Sequence, residues 1–383
     1  MPRSFRWIVP IVAGGAVLLV AAARGGTGRT APQYEVDPHW PKPLPENWIL
    51  GQVSGVAVDS RNHVWIVQRP LTLTEREAGA VQPPPLADCC APAPSVIEFD
   101  PEGNVVQAWG GPDSVETTAD GNMLRAWHRG DRWPQSEHGI FVDHRDNVWI
   151  GSNGRFDQVV LKFDRNGKRL LTIGRWDVTR GSGDTVHLGS PADITVDPAT
   201  NEVYVADGYR NRRIIVFDAA TGAYKRHWGA YGERPNDDPL PPYDPDGAMV
   251  RAFRSPMHAV RIARDGLVYA ADRVNNRIQV FRKDGTFVRE AFLAPRTLAM
   301  GSVWDLEFSP DDAQTWVFVP DGTNMKVWML ERATLEVAGT FGRGGRNAGQ
   351  FEWAHNAAID SDWNLYVTEV NTGKRVQKFI RRR

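Results

Sequence analysis

Apolar and polar residues alternate in short bursts that recur along the chain. The copies are GVAVDSRNHVWIV from Gly55, HGIFVDHRDNVWIG from His138, ADITVDPATNEVYVADG from Ala192, HAVRIARDGLVYAAD from His258, WDLEFSPDDAQTWVFVPD from Trp304 and HNAAIDSDWNLYVTE from His355. Period-two alternation, a polar turn and a second run rich in Val, Ile, Trp and Tyr predict a pair of antiparallel strands in each copy. Two more strands follow in most units, as in SVIEFDPEGNVVQAWGG, VVLKFDRNGKRLLTIGR, RIIVFDAATGAYKRHWG, RIQVFRKDGTFVREAF and MKVWMLERATLEVAGTFG. The turns carry Asp-Pro-Glu-Gly, Arg-Asn-Gly, Ala-Thr-Gly and Lys-Asp-Gly, which is hairpin chemistry. Four strands per unit, with unit starts roughly 45 to 85 residues apart, predict an all-β fold, a six-bladed β-propeller. A solenoid could use similar units but would not bring alternate ones to a common axis.

The wider spacings come from insertions at 70–94, 112–134, 176–187 and 231–252. The last unit runs out after RVQKFI and lacks an outer strand. The segment around Tyr34, Glu35 and Val36 is expected to supply it, closing the ring and removing its open edges.

Composition adds little to the fold and more to the setting. At 42% apolar and 24% charged, the 383 residues are those of an ordinary globular protein, and 36 Gly with 27 Pro suit a loop-rich β chain. Trp65, Trp149, Trp304, Trp316 and Trp328 fall on or beside predicted strands, where they would pack between sheets. A formal charge of -1 provides no electrostatic footprint for nucleic acid. Arg3 and Arg6 precede an apolar run from Trp7 to Ala23, so residues 1–30 read as an export signal, cleaved or retained as an N-terminal anchor. Residues 31–383 would then form the propeller outside the cytoplasm, periplasmic or secreted and monomeric, touching membrane only through an uncleaved anchor. Arg381 to Arg383 read as a solvated tail. Cys89 and Cys90 are adjacent in a Pro-rich loop, where two thiols, a bridge to another molecule and a strained mutual disulfide compete.

Histidine placement carries the chemistry. Five residues before the end of each first strand stand Ser54, His138, Ala192, His258, Trp304 and His355. Histidine therefore occupies units two, four and six. In a ring of six, three imidazoles would approach the axis about 120° apart, an open three-histidine metal site suited to zinc, with iron, nickel or copper as alternatives. Arg69, Tyr209 and Arg273 lie where strands exit toward the same face. Two guanidiniums beside a metal point to an anionic substrate. A tyrosine among such charges would have its pKa lowered and could serve as a base.

GQVSGVAVDSRNHVWIVQR, SPADITVDPATNEVYVADGYRNRRIIVF and SPMHAVRIARDGLVYAADRVNNRIQVF resemble the peptidyl-α-hydroxyglycine α-amidating lyases, six-bladed propellers of the NHL-repeat type. The similarity extends over most of Tyr34 to Ile380 and is weakest in unit five and the insertions. It implies zinc on His138, His258 and His355, active-site roles for Arg69, Arg273 and Tyr209, and cleavage of a carbinolamide to an amide and glyoxylate, the second step of peptide amidation. It also implies a central calcium held by the carbonyls of Val56 and Ile140 and by an aspartate, whose place is taken here by Asn356. Trp353 stands where the family has a pocket methionine, and the family's copper-dependent hydroxylating domain is absent. The substrate expected is a small anionic amide or peptide. A lactonase- or esterase-like metal hydrolase and a non-catalytic exported NHL binding propeller are the alternatives.

Overall fold

The computed structural model describes residues 29–117 and 123–382. Residues 1–28 of the expected export segment and the final arginine lie outside them. Among the described residues no helix is long and apolar enough to cross a membrane.

Six four-stranded antiparallel sheets follow one another, each from inner to outer strand. Their inner strands are Gln52–Val58, Glu137–Val142, Asp193–Asp197, Met257–Ile262, Glu307–Phe308 and Ala354–Ile359. Apolar residues collect in clusters between consecutive blades, one joining Trp65 and Val67 to Ile140 and Ile150, another Tyr204 and Ala206 to Val260 and Ala270. The cluster of Val53, Val56 and Ile66 with Ala358, Tyr366 and Val376 joins blade one to blade six. That last cluster makes the fan a ring, a six-bladed propeller. Closure is completed as expected: Tyr34–Asp37 pairs antiparallel with Arg375–Arg381 as the outer strand of blade six.

The recurring Asp-turn-aromatic motif has a physical basis. The Asp ending the first strand bonds the aromatic of the second strand: Asp59 to Trp65 Nε1 (3.2 Å), Asp143 to Trp149 Nε1 (2.9 Å) and Asp360 to Tyr366 OH (3.0 Å). These rings are fully buried, so the carboxylate satisfies a polar atom that packing would otherwise strand. Glycine is required in the outer hairpins where the preceding blade packs. Gly167 (φ +84°) and Gly285 (φ +93°) have left-handed backbones, and a Cβ on either would press into Trp109 or Trp228.

Three features depart from expectation. Blade five's first strand shrinks to Glu307–Phe308, because Pro320 stands opposite Asp305 and brings no N–H to the ladder. The insertion at 112–134 forms its own three-stranded sheet, Ser114–Thr117, Met123–His128 and Asp131–Trp133. Arg381 and Arg382 are solvent-exposed, as expected of the tail, but anchored: Arg381 lies over the Trp363 ring at 4.1 Å and Arg382 pairs with Glu35. Cys89 and Cys90 are bonded to each other.

Connections from second to third strand, and from one blade to the next, all emerge on the side where the inner strands begin. Every insertion is of one of these kinds, so all rim a single face. Three of them are linked by Arg132 on Asp177 (2.6 Å) and by the Ser182 backbone N–H on Asp237 (2.7 Å), and Tyr243 OH donates to the Pro295 carbonyl (2.7 Å) beyond blade four.

Candidate metal centre

The three histidines begin inner strands, and each lies at a break in ladder register. The irregularities fall between Glu137 and Ile140, Met257 and Ala259, and Ala354 and Ala357. A bulge inserts an unpaired residue and re-aims its side chain, here toward the axis. His138, His258 and His355 meet with ring centroids 4.7 to 4.9 Å apart. One nitrogen of each lies within 4.8 Å of the others, and the rings are at most 2% exposed.

The far side of each ring faces the next blade at the same register. His138 Nδ1 bonds the Ala192 carbonyl at 2.7 Å, and His258 Nδ1 bonds the Trp304 carbonyl. The His355 ring feels the Ser54 backbone, although its Nδ1 completes no hydrogen bond. A proton held on Nδ1 leaves Nε2 free as a ligand and fixes the ring's orientation. Burial, with the neighbouring imidazoles and Arg69, holds His138 well below the usual imidazole pKa. Burial and Arg273 do the same for His258. His355 falls to about 3 through burial, Arg69 and Arg273. Neutral, converging imidazoles fit a transition-metal ion.

Tyr209, two residues beyond the strand Glu202–Asp207, reaches over this triangle. Its hydroxyl is 2.8 Å from His138 Nε2 and 3.3 Å from His258 Nε2. Arg69 ends the strand Val64–Arg69 and is held by neutral acceptors alone: the Glu137 carbonyl (2.6 Å), Gln52 Oε1 (3.0 Å) and Asn153 Oδ1 (3.3 Å). Arg273 follows the strand Val268–Asp272, 4% exposed, with its guanidinium 4.4 Å above the Trp304 ring and its Nε unpartnered. Burial lowers both arginines, opposed in each by Tyr209. Among the described residues neither has a carboxylate partner. Trp353, half-buried at φ +61°, packs 6.1 Å from Trp304. The six residues anticipated around the metal thus come together.

Sequence reasoning missed the supports. Trp304 was visible only as the register residue of blade five. Its ring fills the wall between His258 and His355, 5.7 Å from each, and carries Arg273. Glu137, just before His138, is buried against Ser95 Oγ (2.5 Å) and Trp133 Nε1 (2.6 Å), tying the inserted sheet to a ligand strand. No local pattern marks either role. The calcium set of Val56, Ile140 and Asn356 does not fit. These are uncharged oxygens where calcium asks for six to eight, carboxylates among them. Asn356 donates its Nδ2 to Asp305 at 2.9 Å, and its Oδ1 has no hydrogen-bond partner.

Fold and site define a six-bladed propeller built around a candidate three-histidine metal centre. An NHL repeat model matches residues 188–217, most of blade three. The chain is similar to peptidyl-glycine alpha-amidating monooxygenase B of Xenopus laevis (26% identical over 355 residues, 88% of this chain and 34% of that protein). It is also similar to peptidyl-alpha-hydroxyglycine alpha-amidating lyase 1 of Drosophila melanogaster (28% over 260 residues, 64% and 44%). NHL repeat-containing protein 3 of Homo sapiens matches at 27% over 312 residues, 79% and 69%. The chain spans about a third of the length of the amphibian relative.

Proposed function

We propose that this protein is a zinc-dependent lyase that cleaves an acyl- or peptidyl-α-hydroxyglycine into an amide and glyoxylate. One observation carries the reading: two guanidiniums without carboxylate partners, Arg69 and Arg273, flank the histidine cluster and share Tyr209 as a neighbour. A buried cation without a paired carboxylate is costly, as for Arg273 at 4% exposure, and Arg69 feels Glu137 and Asp157 only at a distance; a substrate carboxylate would pair with both. The names of two relatives, peptidyl-alpha-hydroxyglycine alpha-amidating lyases 1 and 2 of Drosophila melanogaster, point to the same chemistry.

A zinc ion on His138, His258 and His355 would supply positive charge beside the substrate hydroxyl and ease its deprotonation. Arg69 and Arg273 hold the carboxylate and orient the carbinol carbon. Tyr209, seated against two imidazoles, acts as the phenolate once its own proton has passed to solvent, and takes the substrate hydroxyl proton. The O–H electrons become the carbonyl bond of glyoxylate as the C–N bond breaks. The C–N pair stays on nitrogen, which is protonated by Tyr209 or by water, so the reaction consumes no external acid. The wall of Trp304 and Trp353 keeps bulk water from the reacting carbon. The substrate is a small anionic amide or a peptide, and export would put the reaction outside the cytoplasm.

The test compares α-hydroxyhippurate with N-(hydroxymethyl)benzamide, the same carbinolamide without its carboxylate. Release above the uncatalysed background is expected from the first, with at least a hundredfold loss on the second. Equal turnover of both would overturn the carboxylate role. Release of acid from a lactone or ester in place of either would favour a hydrolase.

A further inference from the structure

We propose that the Arg261 guanidinium is the resident cation of the propeller axis, taking the place of a central metal ion. The residues that follow the histidine register line the axis: Gly55, Gly139, Asp193, Ala259, Asp305 and Asn356. Two are carboxylates, on blades three and five, and both are fully buried. Arg261, from the blade between them, joins the pair. Its Nη1 bonds Asp193, its Nη2 lies 3.1 Å from Asp305 Oδ1, and its Nε is 3.9 Å from Glu307. Its side chain is 9% exposed, against 1% and 0% for the two aspartates. One planar fork therefore clamps three consecutive blades, a geometry that suits guanidinium and carboxylate.

Asn356 is matched to this arrangement. Asp305 Oδ2 accepts from Asn356 Nδ2 (2.9 Å), from the Ala357 backbone N–H (3.0 Å) and from Arg261 Nη2 (3.2 Å). A carboxylate at position 356 would face Asp305 at contact distance and need a further cation, whereas the amide donates to it. The Oδ1 atoms of Asn356, Asp193 and Asp305 complete no hydrogen bond. With the Val56 and Ile140 carbonyls they fall short of a calcium shell, and a divalent ion among them would lie against a fixed positive charge. Arg261 and Glu307 also line a cavity of about 460 Å³ on the opposite face, so the guanidinium stands on the axis between that cavity and the histidines.

The proposal is independent of the lyase reading, and its test reads metal content and melting temperature, not turnover. Protein passed through calcium-containing buffer and gel filtration should retain no stoichiometric calcium, and added millimolar calcium should leave its melting temperature unchanged. Arg261→Met leaves two buried carboxylates facing each other, so the melting temperature should fall by roughly 5–10 °C, and calcium should now raise it. If that variant does not fold, Arg261→Lys, which keeps the charge and loses the fork, should fold, melt lower and stay indifferent to calcium. Stoichiometric calcium in the unaltered protein, a calcium-dependent rise in its melting temperature, or an unshifted Arg261→Met would each overturn the proposal.

Discussion

Tyr209 places one hydroxyl against two imidazoles, and its neighbours Arg69 and Arg273 are cations held by neutral groups. Tyr209→Phe keeps the ring and removes the proton carrier. It should lower kcat by about 10²–10⁴ while zinc content stays at the unaltered level; a variant with normal kcat would remove the tyrosine from the mechanism. Arg273→Met keeps contact with Trp304 and loses the charge. Its kcat/KM should fall by ~2–3 kcal/mol, about a hundredfold, and its activity on the substrate without a carboxylate should change little. Asp157 behaves differently. Burial, with a contribution from Glu137, raises its carboxyl to about 7, against the backbone N–H groups of Ser136 and Gln135. The folded state therefore binds more protons than the unfolded chain between about pH 4 and pH 7, and this residue's contribution to stability weakens as pH rises through that window. Asp157→Asn keeps an acceptor for both N–H groups. Denaturant unfolding should find the variant level with the unaltered protein near pH 4 and more stable by on the order of 2 kcal/mol near pH 8. A variant destabilised at the higher pH would contradict this.

At the scale of the elements, the strand pairs were legible because period-two alternation and hairpin glycines act over a few residues. The histidine register was legible because it repeats. The bulges that turn those histidines inward were not, since a ladder's register depends on the partner strand and leaves no mark in the strand itself. Blade five was overextended for a similar reason: Pro320 acts across the sheet on Asp305, fifteen residues away. The strands within 112–134 lack Val–Ile alternation, so the sequence shows only an insertion there. The closing strand, by contrast, was anticipated from the missing outer strand of blade six. Phe379 lies on its partner, 2% exposed between Phe341 (5.0 Å) and Phe351 (5.4 Å). Phe379→Ala should cost ~3–5 kcal/mol in equilibrium unfolding. A loss below ~1 kcal/mol would mean that the seam between blades five and six contributes little.

Over the whole propeller, the three histidines come from alternate blades, the arginines and tyrosine from strand exits on the same face, and every insertion from connections around that face. The site is therefore an assembly of segments far apart in sequence. Its members could be named from a repeat register and a family resemblance, while the supporting tryptophan, the Glu137 tether and the axial arginine emerge only when blades meet. The most direct measurement is glyoxylate release from α-hydroxyhippurate by protein stripped of metal and then reloaded with zinc, with His258→Ala run beside it. The stripped protein and the variant should remain folded and inactive, and zinc should restore release to the first alone, with one amide formed per glyoxylate. Undiminished release after stripping, or none above background from zinc-loaded protein, would contradict the account.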